Sequence, residues 1–132
     1  MLFVDDDAKL RAVVRYLLEE SGYRVETADD GREAWKRICA AMQGPKKGYD
    51  LVITDLDMPD VDGIELIRMV RKVGFAVRIM VYTGELTRER QLELNNLEVD
   101  AAVEKGIEAE TLLNLVHKIV DGDRGMRAGH FA

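Results

Sequence analysis

The 132-residue sequence is poor in cysteine, in basic charge and in long apolar runs, and each shortage removes a class of function. Its single cysteine, Cys39, cannot close an intramolecular disulfide and leaves no cysteine cluster for zinc, a pattern that fits a reducing compartment. Nineteen Lys and Arg against twenty-five Asp and Glu leave a net charge of -6. That is the wrong sign for a protein that lives on phosphate backbones, so no direct nucleic-acid binding is expected. No stretch approaches the roughly 20 apolar residues that a spanning helix needs. The opening Met1-Leu2-Phe3-Val4 turns acidic at once, without a positive leader. These features predict no membrane segment and a cytoplasmic location. At roughly 100–200 residues per domain there is room for one compact domain and a tail, but not for an attached output domain. With 47% hydrophobic and 33% charged residues, that domain reads as soluble and globular.

What the sequence does have is alternation. Leu2 to Val4 is a short apolar run followed by acid, and Leu10, Val13, Val14, Leu17 and Leu18 then recur at helical spacing until Gly22. Tyr23 to Thr27 is rich in β formers, Asp29-Asp30-Gly31 is a turn with carboxylates suited to capping, and a helix is predicted over about Arg32 to Met42. A breaker from Gln43 to Gly48 leads to Tyr49–Thr54, whose unbroken apolar centre predicts a strand covered on both faces. A helix follows from Ile64 to Gly74, then a strand at Val77–Tyr82 and a polar helix at Thr87–Asn95. The last unit is a strand at Val99–Val103 and a helix at Glu108–Val120. This alternation predicts an α/β fold, a mainly parallel sheet with helices on both faces. Trp35, Ile38 and Cys39 follow a helical face and read as packing, and Asp60 and Asp62 read as capping residues for the helix after them. Arg88-Glu89-Arg90 reads as a solvated face.

In an open parallel sheet the loops at the carboxyl ends of the strands line the binding crevice. That rule brings together Asp5-Asp6-Asp7, Asp55, Thr83-Gly84 and Lys105. Clustered aspartates often do no more than cap helices and meet solvent. Carboxylates gathered in one crevice, however, repel one another unless a cation lies between them, and Mg2+ prefers oxygen ligands. Asp55, mounted on a buried strand, is suited to act as a nucleophile toward a phosphoryl group, with Lys105 and the Thr83 hydroxyl meeting the charge that accumulates. Metal-assisted hydrolysis stays open on the same residues, although no histidine base falls near the crevice. His117, near the end of the last helix, is expected in a terminal surface or packing role.

Several motifs stand in a fixed order: Phe3-Val4-Asp5-Asp6-Asp7, Asp29-Asp30-Gly31-Arg32-Glu33-Ala34, Tyr49 through Pro59 with Asp62-Gly63, Val81-Tyr82-Thr83-Gly84, and Lys105. In this order and spacing they resemble the receiver domain of the two-component response-regulator family from Leu2 to about Val120. The resemblance implies a doubly wound, five-stranded parallel sheet of order 2-1-3-4-5 with five helices, flavodoxin-like, over residues 1–121. It leaves 122–132 as a flexible tail or linker remnant. It further implies that Asp55 is the phosphoacceptor and that Asp5, Asp6 and Asp55 hold Mg2+ with the backbone carbonyl of Asp57. Thr83 becomes the switch hydroxyl and Lys105 the phosphoryl-binding lysine. Asp57 and Glu85 fall where the family tunes loss of the phosphoryl group. The implied partner is a histidine kinase or histidine phosphotransfer protein, and the last two strand–helix units form the family's usual partner and dimer surface. Such a chain phosphorylates and dephosphorylates itself rather than turning over a separate substrate.

Two positions depart from the family pattern. Gly106, not proline, follows Lys105, and Ala102-Val103-Glu104 stands where an aromatic switch residue is usual. Tyr82, next to Thr83, is a candidate to take over part of that role. A pseudo-receiver that binds partners constitutively, and an independent Mg2+-dependent phosphatase using Asp57 as acid or base, stay open as alternatives.

Overall fold

Four of the five helices begin at a side chain that satisfies otherwise unpaired backbone N–H groups. Asp7 accepts from Lys9 and Leu10 N–H, Asp30 from Glu33, Asp62 from Glu65 and the Thr87 hydroxyl from Arg90. The computed structural model describes residues 1–122, so all but the first residue of the expected tail lies outside the described residues. In chain order the elements are β1 (Leu2–Val4), α1 (Ala8–Glu20), β2 (Glu26–Ala28), α2 (Gly31–Gln43) and β3 (Val52–Thr54). They continue as α3 (Gly63–Lys72), β4 (Ile79–Thr83), α4 (Arg88–Asn96), β5 (Ala101–Glu104) and α5 (Ala109–Asp121). All strand pairs are parallel, in the order β2-β1-β3-β4-β5, which is the doubly wound arrangement expected from the alternation and the resemblance.

Period-two alternation divides the core into two layers. Leu2, Val4, Val52, Ile79, Val81 and Ala102 face α2, α3 and α4, where they meet Ile38, Leu66, Ile67, Val70 and Leu94. Phe3, Ile53, Met80, Tyr82 and Ala101 face α1 and α5, against Val14, Leu18, Leu112, Val116 and Ile119. Trp35 stacks on Phe75 with ring centroids 6.2 Å apart, and Cys39 is a half-buried free thiol, as the packing reading of that helix face expects. His117 shares a hydrogen bond with the Tyr23 hydroxyl and packs ring against ring, so its role is packing between α5 and the α1–β2 connection.

The last four strands begin two or three residues later than the sequence predicts. Val25, Leu51, Val77 and Val99 are buried but precede the paired segments. Apolarity reports burial, and the approaches to these strands are buried before they enter the ladder. The opposite error occurs at the carboxyl ends, where the polar Thr83 and Glu104 still pair as β4 and β5. Among the described residues, no helix is long and apolar enough to cross a membrane.

Candidate functional site

The sheet delivers the acidic and basic residues to one edge. The Asp5 amide donates to Ala28 O at 3.1 Å and the Asp55 amide to Val4 O at 3.0 Å, so each aspartate leaves its strand while still hydrogen-bonded to the neighbour. The Lys105 amide likewise donates to Thr83 O at 2.7 Å, tying the β5 end to the β4 end. Two glycines let loops close over this edge. A Cβ on Gly63 would lie 2.1 Å from Asp55 O and 2.7 Å from Leu56 Cα, and one on Gly31 would lie 2.2 Å from Val61 O. No larger residue could stand at either place without displacing backbone, and the Gly63 contact sets the start of α3 directly on the Asp55–Leu56 backbone at the end of β3.

At the centre Lys105 Nζ lies 2.9 Å from Asp55 Oδ2 and 2.8 Å from Asp5 Oδ2. Both carboxylates are buried, and Lys105 is half-buried. Burial alone would lower the pKa of Lys105, but its bonds to Asp5 and Asp55 outweigh burial and hold it above the ordinary lysine value. For Asp5, burial is the largest influence and raises its pKa, against the opposing pull of Lys105 and the Asp7 amide. Asp55 Oδ1 is oriented by the Leu56 amide at 2.7 Å and the Asp57 amide at 3.2 Å, while the Thr54 hydroxyl donates to Asp55 O at 2.8 Å. The Asp55 carboxylate is therefore fixed on one oxygen by backbone and on the other by an ammonium.

Asp5, Asp6 and Asp55 each offer an oxygen, all within 4.8 Å of one another, with Asp6 exposed at the mouth. Asp5 Oδ2 is also a buried atom with no hydrogen-bond partner, although it makes the ion pair to Lys105. An acidic cluster whose buried Asp5 Oδ2 has, among the described residues, the Lys105 ammonium as its one partner suits a hard divalent cation such as Mg2+, which takes oxygen ligands. Asp7, grouped with Asp5 and Asp6 in the sequence, is instead the α1 cap, and its carboxylate is spent on Lys9 and Leu10 amides at 3.0 and 3.3 Å.

The other expected residues lie around the rim. The Thr83 hydroxyl, fully buried, donates to Asp57 Oδ2 at 3.5 Å, the limit of a hydrogen bond. Glu85 is exposed, and its backbone carbonyl accepts from Arg90 at 2.7 Å. Asp57 is the more constrained of the two acidic rim residues because Arg90 forms a forked ion pair with it, Nη2 to Oδ1 and Nη1 to Oδ2. The Arg90 hydrogen bonds hold the Asp57 carboxyl below the usual range, with burial opposing.

Arg90 is the site residue that the solvated-face reading missed. The signal that could have found it is local: Arg90 lies near the start of α4, where the helix dipole disfavours a cation. An arginine placed there points to an anion outside the helix. Tyr82 does not stand in for the missing aromatic, because it packs on Phe3 in the α1–α5 layer while Ala102 faces α4. Gly106 has a φ of 103°, a conformation that favours glycine, and Lys105 before it is held by both carboxylates and by Thr83 O.

Comparison with known proteins gives a consistent match. Residues 1–117 fit the family described as "Response regulator receiver domain". The Transcriptional regulatory protein CpxR homolog of Haemophilus influenzae is 37% identical over 97 residues, covering 71% of this chain and 39% of that protein. The CAI-1 autoinducer sensor kinase/phosphatase CqsS of Vibrio cholerae is 30% identical over 119 residues, 88% of this chain and 16% of that protein. The chain thus spans well under half the length of these curated relatives. Among solved structures, the chemotaxis protein CheY4 of Vibrio cholerae superposes with a TM-score of 0.78 at 32% identity, covering 89% of this chain and 95% of that one.

Proposed function

The chain belongs to the response-regulator receiver domain family, and on that premise we propose that Asp55 accepts a phosphoryl group from a phosphohistidine of a histidine kinase or histidine phosphotransfer protein. The observation that carries this reading is the Lys105 ammonium held between Asp55 and Asp5, beside three carboxylates that converge within 4.8 Å. In the transfer an Asp55 carboxylate oxygen attacks phosphorus, the P–N bond breaks, and its electron pair leaves with the imidazole of the donor. Asp5, Asp6, Asp55 and the backbone carbonyl of Asp57 would hold Mg2+. When bound, the ion neutralises charge on the carboxylates and the incoming phosphoryl oxygens.

The chain's own groups do the rest. Lys105 supplies a fixed positive charge for a phosphoryl oxygen, and the Leu56 and Asp57 amides keep Asp55 Oδ1 oriented so that one carboxylate geometry is presented. Thr83 offers a buried hydroxyl whose present acceptor is a long contact, easily exchanged for a nearer oxygen. Asp57 and Glu85 stand at the positions where the family tunes loss of the phosphoryl group, and on this reading their charge toward attacking water sets how long it survives.

The test is incubation with Mg2+ and acetyl phosphate, followed by intact-mass and site analysis. One phosphoryl group is expected on the wild type and none on Asp55→Asn. Modification that persists in Asp55→Asn overturns the acceptor assignment, and an unmodified wild type turns the reading to constitutive partner binding through the same pocket.

A further inference from the structure

α4 buries one side chain, Leu94, and apart from the exposed Leu92 the rest of its surface is polar. It is otherwise attached through arginines. Arg90 near its start pairs with Asp57 and donates to Glu85 O, and Arg68 of α3 pairs with Glu93 in its middle. Arg71 of α3 donates to Leu97 O and Glu98 O at its end, at 2.9 and 3.0 Å. Of these ties only the first reaches the acceptor pocket, since the amide of Asp57 donates to Asp55 Oδ1 and its carboxylate accepts from Thr83.

A cavity of about 440 Å³ opens beside this pair, with Leu56, Met58 and Ile64 forming its apolar wall and Asp57, Asp62 and Arg90 its polar one. The guanidinium therefore has space to move. The bond to Asp57 first, and then the charges of Asp57, Glu85 and Asp55, favour its ionised form, with burial opposing. On β5, Ala102 is a small buried residue facing α4, so no ring on that strand links the pocket to the helix.

We propose that Arg90 carries the phosphorylation signal to α4: the charge arriving on Asp55 draws its guanidinium off Asp57 and Glu85 O, freeing the first turn of the helix. This rests on the reading of Asp55 as phosphoacceptor. The physical cause is competition for one cation. Phosphorylation brings nearly two negative charges and three strong acceptor oxygens, for which arginine is a preferred partner, whereas the exposed Asp57 carboxylate offers one charge screened by water. The released element is poised to respond, because beyond one buried leucine it is held by the Thr87 cap, by partly exposed ion pairs and by the Arg71 bonds at its far end.

Amide hydrogen exchange of residues 87–91 tests the proposal, measured with and without acetyl phosphate and Mg2+ on wild type and Arg90→Met, with intact mass taken on the same samples. In the wild type, phosphorylation is expected to speed exchange of these amides about threefold to fivefold, the scale of one partly exposed ion pair. In Arg90→Met the same amides exchange faster from the outset, the sheet amides do not change, and phosphorylation adds no further increase. A phosphorylated wild type with unchanged exchange at 87–91 overturns the proposal, as does an Arg90→Met chain that still responds like the wild type. A wild type that gains no phosphoryl mass overturns the acceptor reading itself, and the role of Arg90 falls with it.

Discussion

α4 and α5 follow each other at the same end of the chain but are held to the sheet by different forces. α5 buries Leu112, Val116 and Ile119 against β4 and β5 without any side-chain cap at its start. α4 has the Thr87 cap but buries only Leu94, and it relies on Arg68, Arg71 and Arg90. Burying an aliphatic side chain contributes about 1.5–3 kcal/mol, while an exposed ion pair contributes about 0–1 kcal/mol. Three buried side chains therefore fix α5 firmly, and α4 has the weaker attachment of the two. The difference is one of responsiveness as much as strength. An apolar contact is indifferent to a charge appearing a few ångströms away, whereas an ion pair is not. A domain that must answer the arrival of a phosphoryl group gains from having one helix of each kind, a rigid one that keeps the pocket in shape and a charge-held one that can move.

The largest test of this contrast removes the apolar anchors. Leu112→Ala and Leu94→Ala each delete a fully buried leucine side chain, a change that costs about 2–5 kcal/mol. For Leu112→Ala the loss is expected across the whole domain, seen as a lower urea midpoint with all core amides exchanging faster together. For Leu94→Ala it is expected to exceed what holds α4 in place, so that residues 88–96 lose exchange protection while β1, β3 and β4 keep theirs. If the two variants lose protection over the same residues, the helices are not differently held.

A smaller effect comes from salt. Raising ionic strength from 0.1 M to 1 M shortens the screening length from about 10 Å to 3 Å and weakens exposed pairs far more than buried contacts. Arg68–Glu93 is an exposed pair and Arg90–Asp57 a partly exposed one, so α4 amides are expected to lose up to about 1 kcal/mol of protection relative to α5 amides. Equal changes in both helices would mean that α4 does not depend on charge.

Much of this arrangement is legible in the sequence, and the exceptions have a common cause. A parallel sheet with helices on both faces follows from the alternation and its 2-1-3-4-5 order from the resemblance, while the caps at Asp30 and Asp62 follow from turn chemistry among residues near one another in the chain. Asp5, Asp6, Asp55 and Lys105 could be grouped in advance because every parallel strand ends on the same edge. The place of Arg90 at the start of α4 hints at an anion nearby, but its pairing with Asp57 could not be grouped in advance, since it joins residues 33 apart across a loop and a helix whose relative placement no local pattern records. Strand starts were misjudged because Leu51 and Val99 are buried for packing rather than for pairing. Within Asp5-Asp6-Asp7 it is the resemblance that separates the two metal-site positions from Asp7, since three identical residues in a row carry no local mark of which one turns back to cap α1.

The smallest effect is the most specific, because it titrates one pair. Arg90 holds the Asp57 carboxyl below its ordinary value of 3.8, so the native state favours the charged form. A depressed folded pKa contributes stability that is present above the unfolded value and is lost as pH falls through the folded one. The window for losing the Arg90–Asp57 pair therefore lies below the usual carboxylate range, and at neutral pH the pair is complete. Asp57 is more than half exposed, so solvent screening limits its contribution to a few tenths of a kcal/mol. A double-mutant cycle of Asp57→Asn and Arg90→Met, read from urea unfolding, is expected to show that coupling at neutral pH and to show it weaken as pH falls below the usual carboxylate range. Coupling that survives at low pH would mean that the two residues hold α4 by shape rather than by charge. An incoming phosphoryl group would then have nothing to compete for, and the contrast between a charge-held and a packing-held helix would lose its functional meaning.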